Sequence, residues 1–351
     1  MPHDENQNKI IVSIIIPCFN EASYIQTCLD AVMNNIAGRH DAEVLVIDGG
    51  SSDGTIDIVN TYCRKSENVR LLHNPKRIAP SAENIGIKNA RGEFVVIVDA
   101  HAELCSKYIV TCVDYLRKHP QALGAGGAMI TKPKKDSAVG RMVVQAITSP
   151  FGVGNSPFRT GKAELCWVDS VYSCCYPKAI YEQFGFYDER LPRGYDFEFH
   201  RRLRSSGRKF LYIPEICSAY YARSAFTPAL LKFYYLEGFW AVYPYKIAGR
   251  KYLSLSHLVP AIFVLGLGAG AVLWLGMPQC KWFFLTIITA YGIGAVIAAI
   301  FAAAKHKTVF SIVALPALFF SIHICYGIGS LHAFIKRKHI SGNADGILLQ
   351  G

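Results

Sequence analysis

A chain of 351 residues exceeds one average domain, so one large or two smaller folded units are expected. Its 37 Lys and Arg outnumber 26 Asp and Glu, but unevenly: from Phe226 onward ten basic residues face two acidic ones, against 27 and 24 in the remainder. Basic residues beside apolar stretches point to the anionic cytoplasmic face of a membrane, and no basic stripe with interleaved aromatics marks the N-terminal part, so nucleic acid is not expected as a partner.

The 11 cysteines contain no C-x-x-C pair and no spaced framework. Cys18, Cys28 and Cys112 fall in apolar runs and read as small buried hydrophobes of a reducing, cytosolic compartment. The polar start, Met-Pro-His-Asp-Glu-Asn, has no apolar core, so no signal peptide is expected.

The β-branched run from Ile10 to Ile16, closed by Pro17, predicts a first strand. Cys18-Phe19-Asn20-Glu21 follows, then a helix from about Ala22 to Ile36. That turn has no glycine, which excludes the G-x-G-x-x-G fingerprint of a dinucleotide-binding fold. A second strand, Glu43 to Ile47, runs into Asp48-Gly49-Gly50-Ser51-Ser52-Asp53-Gly54-Thr55. Here the glycines permit a sharp turn, and Ser or Asp can cap a helix from about Thr55 to Lys65. A third strand from Val69 to His73, the turn Asn74-Pro75-Lys76-Arg77 and a helix from Ser81 to Asn89 lead to the apolar run Phe94 to Val98. That run reads as a strand buried on both faces. It stops at Asp99, with Ala100 and His101 behind it, so two side chains can reach one ion from the carboxyl end of a buried strand. A plain helix N-cap is the competing reading of Asp99.

A helix from about Ser106 to Lys118, a strand from Gly124 to Ile130 and a loop-rich stretch from Thr131 to Lys162 come next. Leu165 to Tyr172 reads as a strand carrying Asp169, and Lys178 to Phe184 as a helix. Arg193-Gly194-Tyr195-Asp196-Phe197-Glu198 then places Asp196 at a helix N-terminus, where the dipole favours an ionised carboxylate. The regular alternation of strand and helix predicts an α/β fold with a doubly wound, mostly parallel sheet.

From Thr227 aromatics, Trp240 among them, mix with Lys232, Lys246, Arg250 and Lys251, the composition of an amphipathic segment lying in the lipid interface. Three apolar blocks follow, His257 to Gly276, Trp282 to Ala304 and Val309 to Ile335, each about the 20 residues a membrane span needs. With Arg250-Lys251 and Lys305-His306-Lys307 cytoplasmic, a third crossing would put Lys336-Arg337-Lys338 outside, against the positive-inside tendency. Pro316, Gly327 and Gly329 offer a re-entrant hairpin as the alternative; a third span is the expectation adopted.

Taken in order, Pro17-Cys-Phe-Asn20-Glu21, Asp48-Gly-Gly-Ser-Ser-Asp53-Gly-Thr, Asn74-Pro with Asn84, Asp99-Ala-His101 and Asp196 resemble the family-2 inverting glycosyltransferases of GT-A fold. The likeness covers about residues 10 to 225. Asp-Ala-His-Ala, Asp-Phe-Glu-Phe-His-Arg-Arg-Leu, Arg223 and the C-terminal His-Ile-Cys-Tyr-Gly-Ile-Gly narrow it to the succinoglycan-type exopolysaccharide glycosyltransferases.

The resemblance implies a catalytic domain over 1–225, then the amphipathic segment over 226–255, a transmembrane region of about three helices over 256–338 and a polar tail over 339–351. It implies that Pro17, Asn20, Glu21, Asp48, Asp53, Asn84 and Asp99 bind the nucleotide sugar, with Asp48 on the base and Asp53 holding the loop or touching the ribose. Asp99 and His101 take the place of the Asp-x-Asp pair that holds Mn²⁺ or Mg²⁺, and Asp196 that of the catalytic base. Asp169, Glu198, Arg223 and Trp240 are further candidates, on the acceptor side or as substitute bases. His101 for a second acid, Gly49 for a frequent second Asp and Tyr195 for the Glu before the base depart from the family pattern. The Gln-x-x-Arg-Trp motif of processive synthases is absent, which implies transfer of a single sugar.

The implied enzyme is an inverting hexosyltransferase of the inner membrane, with its catalytic domain cytoplasmic. It would take a nucleotide-diphosphate sugar, with UDP as the nucleotide, and a lipid-linked sugar acceptor, alongside other polysaccharide-assembly proteins. A polyprenyl-phosphate sugar synthase is the alternative within the same chemistry. A non-catalytic nucleotide-sugar-binding membrane protein is the alternative from another class.

Overall fold

The computed structural model describes residues 9–154, 156–222, 226–249 and 255–336. In chain order the elements are β1 (Val12–Cys18), α1 (Ile25–Asn35), β2 (Ala42–Asp48), α2 (Thr55–Lys65), β3 (Val69–His73), α3 (Ala79–Asn89), β4 (Phe94–Ile97), β5 (Ala102–Leu104), α4 (Tyr108–Lys118) and β6 (Ala125–Pro133). Next come α5 (Ala138–Ile147), α6 (Pro150–Val153), α7 (Pro157–Thr160), β7 (Cys166–Val168), β8 (Cys175–Pro177), α8 (Ala179–Phe184), α9 (Tyr195–Arg204) and β9 (Phe210–Ala222). The helices α10 (Pro228–Val242), α11 (Pro244–Ala248), α12 (Leu255–Gly276), α13 (Lys281–His306) and α14 (Ser311–Ile335) complete the series. Two compact units result: residues up to Thr131 with Pro157–Tyr221, and Lys132–Ser156 with the residues from Ala222 onward.

In the first unit every residue of β2 is buried, and β1 is buried except at Pro17, as expected of strands covered on both faces. Helix α1 buries Ile25, Cys28, Leu29 and Val32, one stripe at helical spacing, in the same core cluster as β1 and β2. The strand order is β3-β2-β1-β4-β8-β6-β9-β5, with β7 paired to β9. β3, β2, β1 and β4 are parallel, with Ile14 facing Val44 on one side and Val96 on the other. The chain winds one way from β1 to β3 and then returns to β4 on the other side of β1. The carboxyl ends of β1 and β4 are therefore the switch point at which such sheets open a crevice. Pro17 sits at that end of β1, beyond the last residue paired with β4, where its missing N–H interrupts no β4 bond.

The sheet beyond β4 was not legible in the sequence. β8 runs antiparallel to β4, and β5 and β7 run antiparallel to β9. The residues after His101 form the short strand β5 instead of leading directly into a helix, and Ala102 is paired with Tyr220 of β9. The stretch read as loop between Thr131 and Lys162 contains α5, α6 and α7.

In the second unit α12, α13 and α14, of 22, 26 and 25 residues, are long and apolar enough to cross a membrane. α14 is continuous, so the break expected as an alternative at Pro316, Gly327 and Gly329 does not occur. Gly327 and Gly329 permit close helix crossings instead: a Cβ on Gly329 would collide with the Tyr235 carbonyl of α10, and one on Gly238 of α10 with the Tyr326 carbonyl of α14. This reciprocal approach packs α10 closely against α14. α10 buries Leu230, Tyr234, Leu236, Phe239, Trp240 and Val242, positions that do not fall on one face, because it is packed into the bundle against α14. The expected polar tail, 339–351, lies outside the described residues.

The crossing is testable. Gly329→Ala places a methyl group against backbone that cannot yield, and overpacking of this kind costs about 1–3 kcal/mol. A lowered thermal midpoint of the detergent-solubilised protein is expected, whereas Gly268→Ala, with open space at its Cβ, leaves the midpoint unchanged.

Candidate active site

The two turns at the carboxyl ends of β1 and β2 are stitched to each other. Asn20, at φ 55°, accepts the Ser52 N–H at its Oδ1 (2.9 Å) and donates its own N–H to Ser51 Oγ (2.8 Å). Asp53 accepts the Ala22 N–H (3.0 Å), the Thr55 N–H (3.1 Å) and the Thr55 hydroxyl (2.6 Å). The Thr55 hydroxyl, with the Asp53 bonds around it, holds the exposed Asp53 carboxyl below its ordinary range. These bonds tie the turn after β2 to the turn after β1.

Asp48 is buried, and its carboxylate accepts the N–H groups of Gly50 (2.7 Å) and Ser51 (2.9 Å) and the Ser51 hydroxyl. It shapes the glycine turn from within. Arg77, also at positive φ, lies over Gly50, its guanidinium 3.3 Å from where a Cβ would be.

Glu21 donates its N–H to Thr55 Oγ1 (2.8 Å), and its carboxylate meets His101 Nδ1 at 3.2 Å. The imidazole is bordered by the Tyr24 and Tyr220 rings, 6.5 and 5.6 Å between centroids. Asp99 is half-buried and accepts the Tyr172 hydroxyl at Oδ2 (2.8 Å). Tyr172 was not anticipated: it precedes β8, whose pairing with β4 brings it to Asp99 from 73 positions away.

Gly194, at φ 68°, opens α9, and Asp196 stands in its first turn. The residue is exposed by surface area, although protein atoms lie close around its carboxylate. That crowding lifts the Asp196 carboxyl above its ordinary range; the N–H groups of Phe197 and Asp196 oppose the rise, the Asp99 charge adds to it and Arg159 opposes it. The helix N-terminus thus favours the ionised form while burial opposes it, and burial is the larger of the two. Phe197 is exposed, whereas Phe199 turns inward and stacks on Tyr181 at 5.4 Å.

Glu83 was not anticipated. It lies on α3, 3 % exposed, and accepts the Tyr195 hydroxyl at 2.6 Å. Burial pushes its carboxyl up to about 8; the Tyr195 hydrogen bond opposes the rise, and the charges of Asp99 and Asp196 add to it. A Glu inside Ala-Pro-Ser-Ala-Glu-Asn-Ile-Gly was the available signal, since an unpaired charged residue on a buried helix face needs a reason. Its neighbour Asn84 donates to the Tyr187 carbonyl (3.0 Å) and Glu189 (2.9 Å) and accepts the Tyr187 N–H (3.0 Å). α3 therefore grips the segment leading to Asp196 at both ends, and the polar groups of Asn84 are engaged in that grip.

The secondary candidates are not gathered here. Asp169 pairs with Arg204 (2.6 Å). Glu198 is buried and holds Arg202 through two bonds of 2.9 and 2.8 Å, while Arg202 caps the Phe186 carbonyl. Trp240 belongs to the second unit, and Arg223 lies outside the described residues.

Asp99 and His101 offer one carboxylate and one imidazole; among the described residues no three His, Cys, Asp or Glu gather into a cage. Such a pair fits Mg²⁺ or Mn²⁺, ions that commonly take one or two protein groups and complete their shell with water and substrate oxygens. With Glu21 against Nδ1, a metal bound by His101 would take Nε2, and the carboxylate would orient the ring.

The buried acid leaves a signature in stability. A group raised from 4.5 to about 8 on folding contributes stability present below pH 4.5 and lost as pH rises through about 8. Glu83→Gln does not titrate, so its thermal midpoint relative to the parent should climb between those two pH values. Parallel curves for parent and variant would refute the assignment.

Comparison with known proteins agrees with this architecture. The family model described as glycosyl transferase family 2 matches residues 13–183. The dolichyl N-acetyl-alpha-D-glucosaminyl phosphate 3-beta-D-2,3-diacetamido-2,3-dideoxy-beta-D-glucuronosyltransferase of Methanococcus voltae is 34% identical over 220 residues, 61% of this chain and 68% of that protein. The succinoglycan biosynthesis protein ExoA of Rhizobium meliloti (strain 1021) is 28% identical over 247 residues, 70% of each chain. Among solved structures, the mannosyltransferase PcManGT from Pyrobaculum calidifontis, in complex with GDP-Man and Mn²⁺, shares the fold with a TM-score of 0.56 at 18% identity, over 95% of this chain and 90% of that one. With its mixed GT-A-like sheet and these relatives, the chain belongs to glycosyl transferase family 2 and is a glycosyltransferase.

Proposed function

We propose that this glycosyltransferase moves one sugar from a nucleotide-diphosphate sugar, with UDP as the nucleotide, to a lipid-linked acceptor, with inversion at the anomeric carbon. The observation that carries the reading is the placement of Asp196 in the first turn of α9, behind the Gly194 turn and a segment that α3 holds at Tyr187 and Tyr195; burial, with the Asp99 charge adding to it, raises its carboxyl above the ordinary range. An acceptor hydroxyl is a poor nucleophile near neutral pH, and a positioned base with a raised pKa is what its activation requires.

In this reading the stitched turns of Pro17, Asn20, Glu21, Asp48 and Asp53, backed by Asn84, form the donor side. Asp196 takes the acceptor's proton as its oxygen bonds to the anomeric carbon, and the bond from that carbon to the diphosphate breaks. Displacement from the opposite face inverts the centre. Asp99 and His101 would hold Mn²⁺ or Mg²⁺, and the cation when bound offsets the charge growing on the leaving diphosphate. The Arg159 guanidinium, already felt by Asp196 and Tyr172, adds fixed positive charge.

The second unit's apolar helices support a lipid acceptor of either kind, and the dolichyl-phosphate-linked sugar in the name of the Methanococcus voltae relative supports a lipid-linked sugar over a bare polyprenyl phosphate. The same helices support a multi-pass protein of the inner membrane, with the catalytic unit cytoplasmic and other polysaccharide-assembly proteins as partners.

Membranes incubated with labelled UDP- and GDP-sugars and then extracted for lipid should show label in the lipid fraction; label confined to water-soluble products would overturn the acceptor class. Asp196→Asn should fold and bind UDP as the parent does, because Asn serves a helix N-terminus about as well as Asp. Its turnover should fall by roughly 10²–10⁴-fold, and turnover within a few-fold of the parent would remove Asp196 from the role. Chelator should abolish activity, and His101→Asp should move the preference from Mn²⁺ towards Mg²⁺, because an all-oxygen pair suits the harder ion. Full activity in chelator would exclude the metal.

A further inference from the structure

We infer that Tyr172 is a positioning residue for the cation: by engaging Oδ2 of Asp99 it leaves that carboxylate one oxygen to offer, which selects the small octahedral ions Mn²⁺ and Mg²⁺ against Ca²⁺; the inference rests on the metal reading above. The decisive observation is how the two ligands are held. The Tyr172 hydroxyl donates to Asp99 Oδ2 (2.8 Å), and among the described residues no hydrogen bond reaches Oδ1. On His101 the Glu21 carboxylate meets Nδ1 (3.2 Å), which directs a cation to Nε2. Each ligand thus has one of its two donor atoms engaged by a neighbour.

Both ends of the Tyr172–Asp99 bond are anchored in the fold. The carbonyls of Tyr172 and Ser173 lie 3.0 and 3.1 Å from the hydroxyl of Tyr108, which also accepts the Gly127 N–H (3.2 Å), and Tyr108 is fully buried. Ser173 sits at φ 46°, a region that residues other than glycine seldom occupy. Such backbone persists only where the surroundings enforce it, and it gathers at ligand clamps. On the other side, the Asp99 carbonyl accepts the Ala102 N–H (2.8 Å) and the Cys28 thiol (3.5 Å). The Tyr220 ring borders both supports, 6.0 Å from Tyr172 and 5.6 Å from His101 between centroids. With its main chain fixed, the Asp99 carboxylate cannot swing without giving up the hydroxyl.

The restriction acts on coordination number. A carboxylate bound through both oxygens spans a narrow angle at the ion. Ca²⁺ accepts that mode readily within a large, flexible shell, whereas Mg²⁺ demands near-ideal octahedral geometry with single oxygens. Mn²⁺ takes octahedral shells too. An engaged Oδ2 therefore deprives Ca²⁺ of a ligand and the octahedral ions of none. The plainer role for the bond is to satisfy a half-buried carboxylate, and that role predicts no change in the order of ions when the hydroxyl is removed.

The order of ions can be read by binding alone. Mn²⁺ held by the detergent-solubilised full chain with UDP is followed by electron paramagnetic resonance, because the sharp signal of free Mn²⁺ is lost on binding; UDP without protein is the reference. Ca²⁺ and Mg²⁺ are then titrated in as competitors, against the parent and Tyr172→Phe. The preference of UDP itself is common to both proteins, so a change in the ratio of the two displacement midpoints belongs to the chain. Phe keeps the ring beside Tyr220 and removes only the hydroxyl. In the parent Ca²⁺ should displace Mn²⁺ less well than Mg²⁺ does. In Tyr172→Phe the ratio should shift towards Ca²⁺ by roughly 10-fold, the lower end of what losing a ligand's hydrogen-bond partner does to metal affinity. An unchanged ratio, in a variant with the parent's thermal midpoint, would overturn the inference and leave the metal reading standing. A parent that holds no Mn²⁺ beyond UDP alone would overturn both. The parent decides even if the variant does not fold, since displacement by Ca²⁺ as effective as by Mg²⁺ would overturn the selection.

Discussion

Three carboxyl groups crowd the crevice of the first unit, and their mutual repulsion is the constraint the surrounding structure is arranged to meet. Glu83, Asp99 and Asp196 feel one another's charge. Left alone, three negative charges in a partly dry cleft would drive the loops apart. Each is instead given a donor from a different element: Tyr195 to Glu83, Tyr172 to Asp99, and the first-turn N–H groups of α9 to Asp196, with Arg159 as a nearby cation. The buried acid with least access to water carries the largest upward shift, which keeps negative charge off the cluster near neutrality.

The same crowding explains why the segment before α9 is so heavily tied. Gly194 sits in the left-handed region where a side chain would be strained, and α3 clamps the chain at Tyr187 and at Tyr195. The role proposed for Asp196 needs a carboxylate held to a fraction of an ångström. The holding is done by neighbours that do not touch the reacting atoms. Glu198 and Arg202 act likewise, securing α9 against the turn at Phe186.

In the second unit α14 is the common partner. Hydroxyl–imidazole pairs join it to three helices: Tyr235 with His332 towards α10, His257 with Tyr326 towards α12 (2.7 Å), and Tyr291 with His323 towards α13 (2.9 Å). Apolar surface alone discriminates poorly among helices surrounded by lipid, whereas a polar pair or a glycine crossing has one satisfactory register. The two partners of His323 also fix its tautomer, since Nε2 must donate to the Gly152 carbonyl and Nδ1 accept from Tyr291.

The sequence by itself determined whatever depends on short-range pattern. β1 to β4 were legible because fully buried parallel strands are continuous apolar runs, and the turns after them because glycine, Asp and Asn announce their backbone needs. The order of those turns was enough to identify the family, with Asp99, His101 and Asp196 in it. α12 and α13 were legible from length and hydropathy alone. Only the tertiary structure decided the antiparallel half of the sheet, because three-residue strands such as β5, β7 and β8 carry no period to read. It also decided the partners that set ionisation. Glu83 meets Tyr195 across 112 positions and Asp99 meets Tyr172 across 73. Burial and charge coupling are properties of neighbours in space, and a carboxylate in a sequence is the same letter whether it will be free in water or held at the floor of a cleft.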